Sequence, residues 1–358
     1  KMTISYHKLE SFIHDLLLSM NCSKTDTEVI ADVLLKAELR NISSHGVSRL
    51  KDYVNLWKAN RINSKPTIKI VHETQSTAVI DGDSAFGMIA GNFAMDIAIE
   101  KAKEVGTAWV SVRNSNHFGI AGYYAMKALE LDMIGICMTN ANPLVALTFS
   151  VDRLLGTNPI AVAIPAGKYP PFVADFATTP IARGKLDLMH KKAEIAPIGY
   201  VQDKEGNPST DPNILTDGGA ILPLGGDYLH GSHKGYCLGA IVDIFSAVLS
   251  GANFGPFVPP SVAYLPVLEN QPGLGTGHFM GAMRIDAFQK AEEFKAQMDL
   301  WIATFKNANT DKNHDAVIIP GEPEREWEKT NMINGINVLD KIIEELNIIA
   351  LEQKIKSL

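Results

Sequence analysis

The stretch that most restricts this chain is 107–140. A β-branched run, TAWVSVR (107–113), a loop of small and polar residues, NSNHFG, an apolar helical segment (121–131) and a second apolar run, MIGICMTN (133–140), follow one another directly. Two strands joined through a helix require a crossover, which predicts 107–113 and 133–140 as parallel neighbours with the helix on one sheet face. Further strands are expected at TIKIV (67–71), TAVID (77–81), IAVAIP (160–165), FVADFA (172–177) and HFMGAMRI (278–285), with a helix from Ile89 to Val105.

Both chain ends read as helical. Leu9, Phe12, Ile13, Leu16, Leu17 and Met20 share one helical face, and Val29, Ile30, Val33, Leu34 and Ala37 share another behind a capping box at Thr25–Glu28. A third helix is expected from SSHGVSRLKDYVNLWKAN, capped by Ser43 or Ser44. Long helices are predicted over about 234–250, 287–306 and 336–356, and the Gly/Pro-rich stretch 251–277 reads as a surface excursion. The expected fold class is α/β: a sheet-rich domain at 76–286 and a helical domain built from 2–75 and 287–358. Lys1, ahead of Met2, is set aside, and the start has no signal-peptide layout.

The formal charge of −7, from 33 basic and 40 acidic side chains, argues against a nucleic-acid partner, whose affinity comes from neutralised phosphates. Cys22, Cys137 and Cys237 are far apart and form no CxxC pair, which suits a reducing cytoplasm. The apolar stretches 133–151 and 235–254 read as buried core, not membrane spans: Asn140, Asn142 and Pro143 interrupt the first and Asp243 the second. GLGTG (273–277) precedes a strand instead of following one, so it is no dinucleotide fingerprint, and no Walker or GxSxG motif occurs. His230 and His233, with Asp227 nearby, are the only close histidine pair and read as a polar loop, so no metal site is expected.

Several residues remain that carry chemistry. His45, Arg49 and Tyr53 recur at i, i+4, i+8, a polar stripe opposite Val47, Leu50, Val54 and Trp57. It suits a carboxylate ligand, which a guanidinium fork matches in two bonds, although spacing alone leaves a solvated face open. His117 follows a strand and precedes a helix, where α/β proteins place ligands, and its ring is a candidate acid/base. Asp175 is the one carboxylate of an apolar strand, suited to a ribose or to capping a helix. Lys234 opens a helix among glycines, where a phosphate can approach, and PGEPERE (320–326) joins a strand end to a helix through Gly321.

Together the windows SSHGVSRL (43–50), NSNHFGIAGYY (114–124), LLGTNPIAVAIP (154–165), DFATTPIARGK (175–185), GSHKGYCLGAIVDIFSAVLSGANFG (231–255) and PGEPERE resemble the type-2 malate/L-lactate dehydrogenase family of NAD(P)-dependent 2-hydroxy-acid oxidoreductases. The resemblance runs from about residue 5 to 345. It implies a non-Rossmann cofactor domain, NAD or NADP as cofactor, a small carboxylate substrate and a homodimer. His117 and His45 match the family's active-site histidines, and Ser44, Arg49 and Tyr53 match positions around the substrate. Asp175, Ala177, Thr178, Lys234, Gly321 and Glu322 match dinucleotide contacts. Ser43, Ala141 and Cys237 depart from the family pattern, where an acid, a small hydroxyl residue and glycine are frequent. Relatives act on malate, lactate, sulfolactate, ureidoglycolate, diketogulonate and cyclic imino acids. Reduction of a cyclic imino acid or a diketo sugar acid is therefore the alternative. A non-catalytic binding protein, or a metal-dependent hydrolase using His230 and His233, lies further off.

Overall fold

The computed structural model describes residues 1–358. Its helices are α1 (Tyr6–Ser19), α2 (Lys24–Leu39), α3 (Leu50–Lys58), α4 (Gly87–Val105), α5 (Ala121–Met126), α6 (Arg183–Lys191), α7 (Ser232–Asp243), α8 (Ala291–Lys306), α9 (Glu322–Asn334) and α10 (Asp340–Gln353). The main sheet, its strands numbered among themselves, contains β1 (Lys69–Glu73), β2 (Thr77–Asp81), β3 (Thr107–Ser115), β4 (Met133–Thr139), β5 (Ile160–Ile164), β6 (Phe172–Phe176) and β7 (Thr276–Arg284).

The N-terminal periodicity holds: Leu9, Ile13, Leu16, Leu17, Ile30 and Leu34 are fully buried, each burial stabilising by roughly 1.5–3 kcal/mol. The capping box does not. α2 begins one residue ahead of Thr25, and Ser23 caps it by accepting from the Asp26 amide at 3.1 Å. The third helix also starts late. Two 3-10 turns, Ser43–His45 and Val47–Arg49, precede α3, and neither Ser43 nor Ser44 makes a capping bond. The predicted helix over 336–356 is a strand, Ile336–Val338, followed by α10; the strand pairs antiparallel with Met2–Ile4. Gly335 (φ 90°) ends α9, and the strand's partner lies at the opposite chain end, so no local pattern shows the pairing. α9 is held on α2 by Glu328, which accepts from Lys36 at 2.6 Å and from the buried Arg40 at 3.2 Å.

The sheet order is β1-β2-β3-β7-β4-β5-β6. β3 and β4 run parallel, as the crossover requires, but they are not neighbours: β7 lies between them, antiparallel to both. β7 comes from 136 residues beyond β4's Asn140-flanked end, so the intervening strand is invisible in the 107–140 window. It is almost entirely buried, which explains its central place. α4 packs on β3 and β7, α5 on β4, β5 and β6, and one buried apolar cluster of 53 residues joins helices and sheet. Five short strands within 145–221, with α6, form a second small unit around Val145, Leu155, Leu186 and Val201.

The stretch 133–151 is core in part: alternate residues of β4, Asn140, Val145 and Ala146 are buried, while Phe149 and Val151 are exposed. The stretch 235–254 is only half core: Gly239, Val242, Ser246 and Ala247 face inward, while Ile241, Ile244, Phe245, Val248 and Leu249 are exposed. Its Asp243 is buried and accepts from the Gly255 amide at 3.0 Å and Asn140 Nδ2 at 3.2 Å. No helix is long and apolar enough to cross a membrane.

Candidate active site

The loop at the end of β3 and the turns ahead of α3 bring His117 and His45 face to face. Their rings stack at 5.5 Å and 24°. Arg49 lies close enough to both for its charge to disfavour their protonation. The turns before α3 are tied internally: Arg49 Nε donates to Ser44 O at 2.9 Å, and Ser48 Oγ donates to Ser43 O at 2.8 Å. Ser44 Oγ meets His45 Nδ1 at 2.9 Å. Arg49 Nη1 is 3.6 Å from Asp52, which leaves Nη2 for a ligand.

Tyr53 is buried, and its hydroxyl meets His117 Nδ1 at 2.8 Å. It therefore grips the histidine, where sequence matching had placed it around the substrate. The Gly119 amide also points at Nδ1, at 3.4 Å, and an amide only donates. At that range the amide contact is weak, so the Tyr53 bond holds the ring whichever nitrogen carries the proton, and Nε2 has no protein partner.

Burial first, then Arg49, then the neighbouring imidazoles hold His117 well below the usual histidine range. Burial, with Arg49, lowers His45 to about 4. A third ring, His278, lies beneath them, stacked on Phe118 at 4.6 Å. Thr139 donates to Gly277 O, so its oxygen accepts from His278 Nδ1 at 2.7 Å, and Ser115 donates to Nε2 at 2.6 Å. Burial pushes this ring down to about 3.

Of the dinucleotide candidates, Asp175, Ala177 and Thr178 lie on one thread, 172–178, while Gly321 and Glu322 stand at the head of α9 and Lys234 on α7. At one end Val173 N donates to Pro320 O at 3.1 Å, and Gly321, in the left-handed region at φ 98°, packs on Val173. Glu322 opens α9 and accepts from Lys306 at 3.1 Å and the Ile319 amide at 3.2 Å. Asp175, in the middle, is open to solvent on one side and hemmed by protein on the others. It accepts from the Gly122 amide at 2.8 Å, five residues beyond His117. Burial pushes its carboxyl up to about 6, the Gly122 bond and Arg40 opposing and Glu324 assisting. Ala177 follows, half-buried. Thr178, at the far end, is buried with every polar group used: its amide and hydroxyl donate to Thr157 and Asn158 carbonyls, and its carbonyl accepts from Leu224. Lys234 is exposed on the first turn of α7, whose Gly235 packs against Leu224.

The other histidine pair does not converge. His230 Nδ1 binds Asp227 at 2.8 Å in an exposed loop, and the His233 ring lies tilted by 41° against Tyr228 at 4.9 Å. No group of three or more His, Cys, Asp or Glu side chains is placed to hold a metal ion. Sequence reading missed Glu38, which accepts from the Val47 amide, and the His278 trio. Glu38 was visible as a charge on the apolar α2 face shared by Ala31, Leu34 and Leu35.

These groups have a predictable effect on acid stability. The three rings stay neutral in the fold while their unfolded counterparts protonate below about pH 6.5, so stability falls as pH drops through that window, by about 1.4 kcal/mol per pH unit per proton. Glu38 (about 7) and Asp175 (about 6) act oppositely: each holds a proton in the fold that the unfolded chain has lost above about pH 4.5. Three rings outweigh two carboxyls, so thermal melts are expected to decline gently from about pH 6.5 to 4.5 and more steeply below about pH 4.5, where the Glu38 contribution has ended. Melts that keep rising down to about pH 4 contradict this assignment.

The sequence matches the malate/L-lactate dehydrogenase family over residues 4–347. It is 42% identical over 352 residues to a malate dehydrogenase of Pyrococcus abyssi, covering 98% of this chain and 95% of that one. It is 39% identical over 338 residues to an L-sulfolactate dehydrogenase of Methanocaldococcus jannaschii, covering 94% and 93%. The fold superposes on the malate dehydrogenase structure from Pyrococcus horikoshii OT3 with a TM-score of 0.91 at 38% identity, covering 100% of this chain and 97% of that one.

Proposed function

The chain belongs to the malate/L-lactate dehydrogenase family, and from that premise we propose that it interconverts a small 2-hydroxy acid and its 2-keto acid at the His45–His117–Arg49 cluster, with NAD or NADP as cofactor. It is an oxidoreductase of 2-hydroxy acids. The observation that carries the site assignment is the convergence of two imidazoles and one guanidinium that are far apart in sequence.

In this reading Arg49 Nη2 takes the substrate carboxylate and fixes the reacting carbon beside the rings. The arriving anion also offsets the Arg49 charge, which raises the proton affinity of both histidines when substrate is present. His117, gripped from behind by Tyr53, faces the substrate oxygen through Nε2 and moves its proton; His45 polarises the same oxygen. In reduction the doubly protonated ring donates from Nε2 and keeps its Nδ1 proton, which the Tyr53 oxygen accepts; in oxidation that neutral Nδ1–H ring takes the hydroxyl proton at Nε2.

The groups along 172–178 fit a dinucleotide. Asp175 is a hydroxyl acceptor already oriented by a backbone amide, Lys234 is an unpaired cation, and Gly321 leaves the backbone bare beside Val173. Asp175, Ala177, Lys234, Gly321 and Glu322 would hold it, with Thr178 bracing the thread. When bound, the nicotinamide supplies or accepts the hydride. The cofactor domain is of a non-Rossmann type, in keeping with a mostly antiparallel sheet that has no Gly-rich strand–helix turn.

The exposed apolar stripe Ile241, Ile244, Phe245, Val248 and Leu249 supports a homodimer formed about the end of α7 and the π-helical turn Ile244–Val248 that continues it, since Val248 and Leu249 are each more than half exposed. Val248→Glu is expected to convert dimer to monomer in light-scattering chromatography; an unchanged mass would place the interface elsewhere.

The activity is tested by absorbance at 340 nm, with each reduced dinucleotide against a panel of 2-keto acids and cyclic imino acids. Reduction of 2-keto acids supports the reading. Turnover confined to the imino acids favours the alternative, and no turnover with any of them removes it.

A further inference from the structure

Glu38 lies near the C-terminal end of α2, is 4% exposed, and stands outside every assignment made above. Its Oε1 accepts from the Val47 amide at 2.8 Å, nine residues along the chain. That amide opens the second 3-10 turn, which has no other side-chain cap. Between the two turns Gly46 adopts an extended break (φ −102°, ψ −137°) and lies flat on the Glu38 side chain, so close that a Cβ there would fall 2.1 Å from Oε1. Glu38 and Gly46 are therefore interlocked, and no other side chain could lie at Gly46 with the carboxylate in place. The residue on one side of this lock is His45; two residues beyond its amide is Arg49.

We infer that Glu38 is the positioning residue of the substrate-anion clamp: by capping the Val47 amide it sets the angle between the His45 turn and the Arg49 turn. A packing role alone does not account for an acid here. Burial pushes its carboxyl up to about 7, so a leucine or methionine on this apolar face would be the better filler. What only an acceptor provides is the bond to an otherwise orphaned amide at the head of the Val47–Lys58 helical run. Glu38 touches neither substrate nor cofactor candidates and acts through the segment that carries them.

The kinetic part of the test rests on the dehydrogenase reading; the exchange part does not. Glu38→Met keeps the volume and removes the acceptor, whereas Glu38→Gln keeps an acceptor oxygen. With the 2-hydroxy acid that the wild type oxidises fastest, Glu38→Met is expected to raise KM by about tenfold or more and lower kcat, while reduced-dinucleotide Kd by fluorescence stays within about twofold. Glu38→Gln is expected to stay within about threefold of wild type in both constants. Gly46→Ala, which drives the carboxylate off the amide from the other side, should repeat the methionine pattern even if Glu38→Met does not fold. Amide exchange should quicken over 42–50 in the Met and Ala variants and not in the Gln variant. Wild-type KM in Glu38→Met, equal damage in Glu38→Gln, or exchange rising throughout the chain overturns the inference. A wild type inert toward every acid of the panel defeats the proposed function instead, and the exchange comparison then decides Glu38 by itself.

Discussion

Replacing His117 with alanine is expected to lower turnover by about two to four orders of magnitude, the usual contribution of a positioned acid/base group. Dinucleotide binding should be nearly unchanged, because the residues proposed to hold the cofactor lie along 172–178, on the first turn of α7 and at the head of α9, and none is on the His117 loop. The ring has two faces to lose. Nε2 is the group with no protein partner, and Nδ1 anchors the ring through the buried Tyr53 hydroxyl. Removing it also leaves that hydroxyl unpaired, which costs roughly 1–3 kcal/mol, so a modest drop in melting temperature should accompany the kinetic loss. Steady-state oxidation of the preferred 2-hydroxy acid, with a parallel fluorescence titration of the reduced dinucleotide, reads both effects. Near wild-type turnover would remove His117 from the mechanism and leave His45 as the proton carrier.

Arg49→Lys is the second large effect. Charge is retained, yet KM for the acid is expected to rise by about tenfold to a hundredfold, with kcat also reduced. The guanidinium does three things at once. Nε ties down the Ser44 carbonyl, Nη1 leans toward Asp52, and Nη2 remains for the substrate. An ammonium on a shorter stem cannot hold the turn and reach the anion together. Because lysine keeps the charge by which Arg49 depresses His45 and His117, the pH profile of kcat/KM for oxidation should stay close to wild type in Arg49→Lys and shift in the neutral Arg49→Met. Unchanged KM and rate for acidic substrates would show that the anchor is a different residue.

Much of the architecture could be read locally. The α1 and α2 faces, the helix over 87–105 and most main-sheet strands follow from side-chain period alone, since a half-buried helix or strand must repeat its apolar residues. Boundaries set by distant partners could not. Ile336–Val338 is a strand because Met2–Ile4 lies alongside it, and Ser23 displaces the Thr25 box only because the backbone leaves the preceding turn extended.

Candidate chemistry was legible in the same uneven way. His45, Arg49 and His117 stood out by residue type and by their places next to turns and strand ends, and the folded chain brings them together. Their spacing argument was incomplete, however. The i, i+4, i+8 stripe assumed one continuous helix, whereas His45 sits on a separate 3-10 turn across the break at Gly46, and Tyr53 turns inward to His117.

What the linear chain determined was composition and period: an α/β body with helical ends, no metal cluster in its spacing, and a set of imidazole, guanidinium and carboxylate groups at turns. What only the tertiary structure decided was which of these meet. The insertion of β7 between β3 and β4, the bond between Tyr53 and His117 and the bond from Val47 to Glu38 all depend on groups that are separated along the chain. Side-chain period reports which face of an element is buried, but hydrogen bonds act over about 3 Å, and at that range the neighbour is chosen by packing of the whole chain.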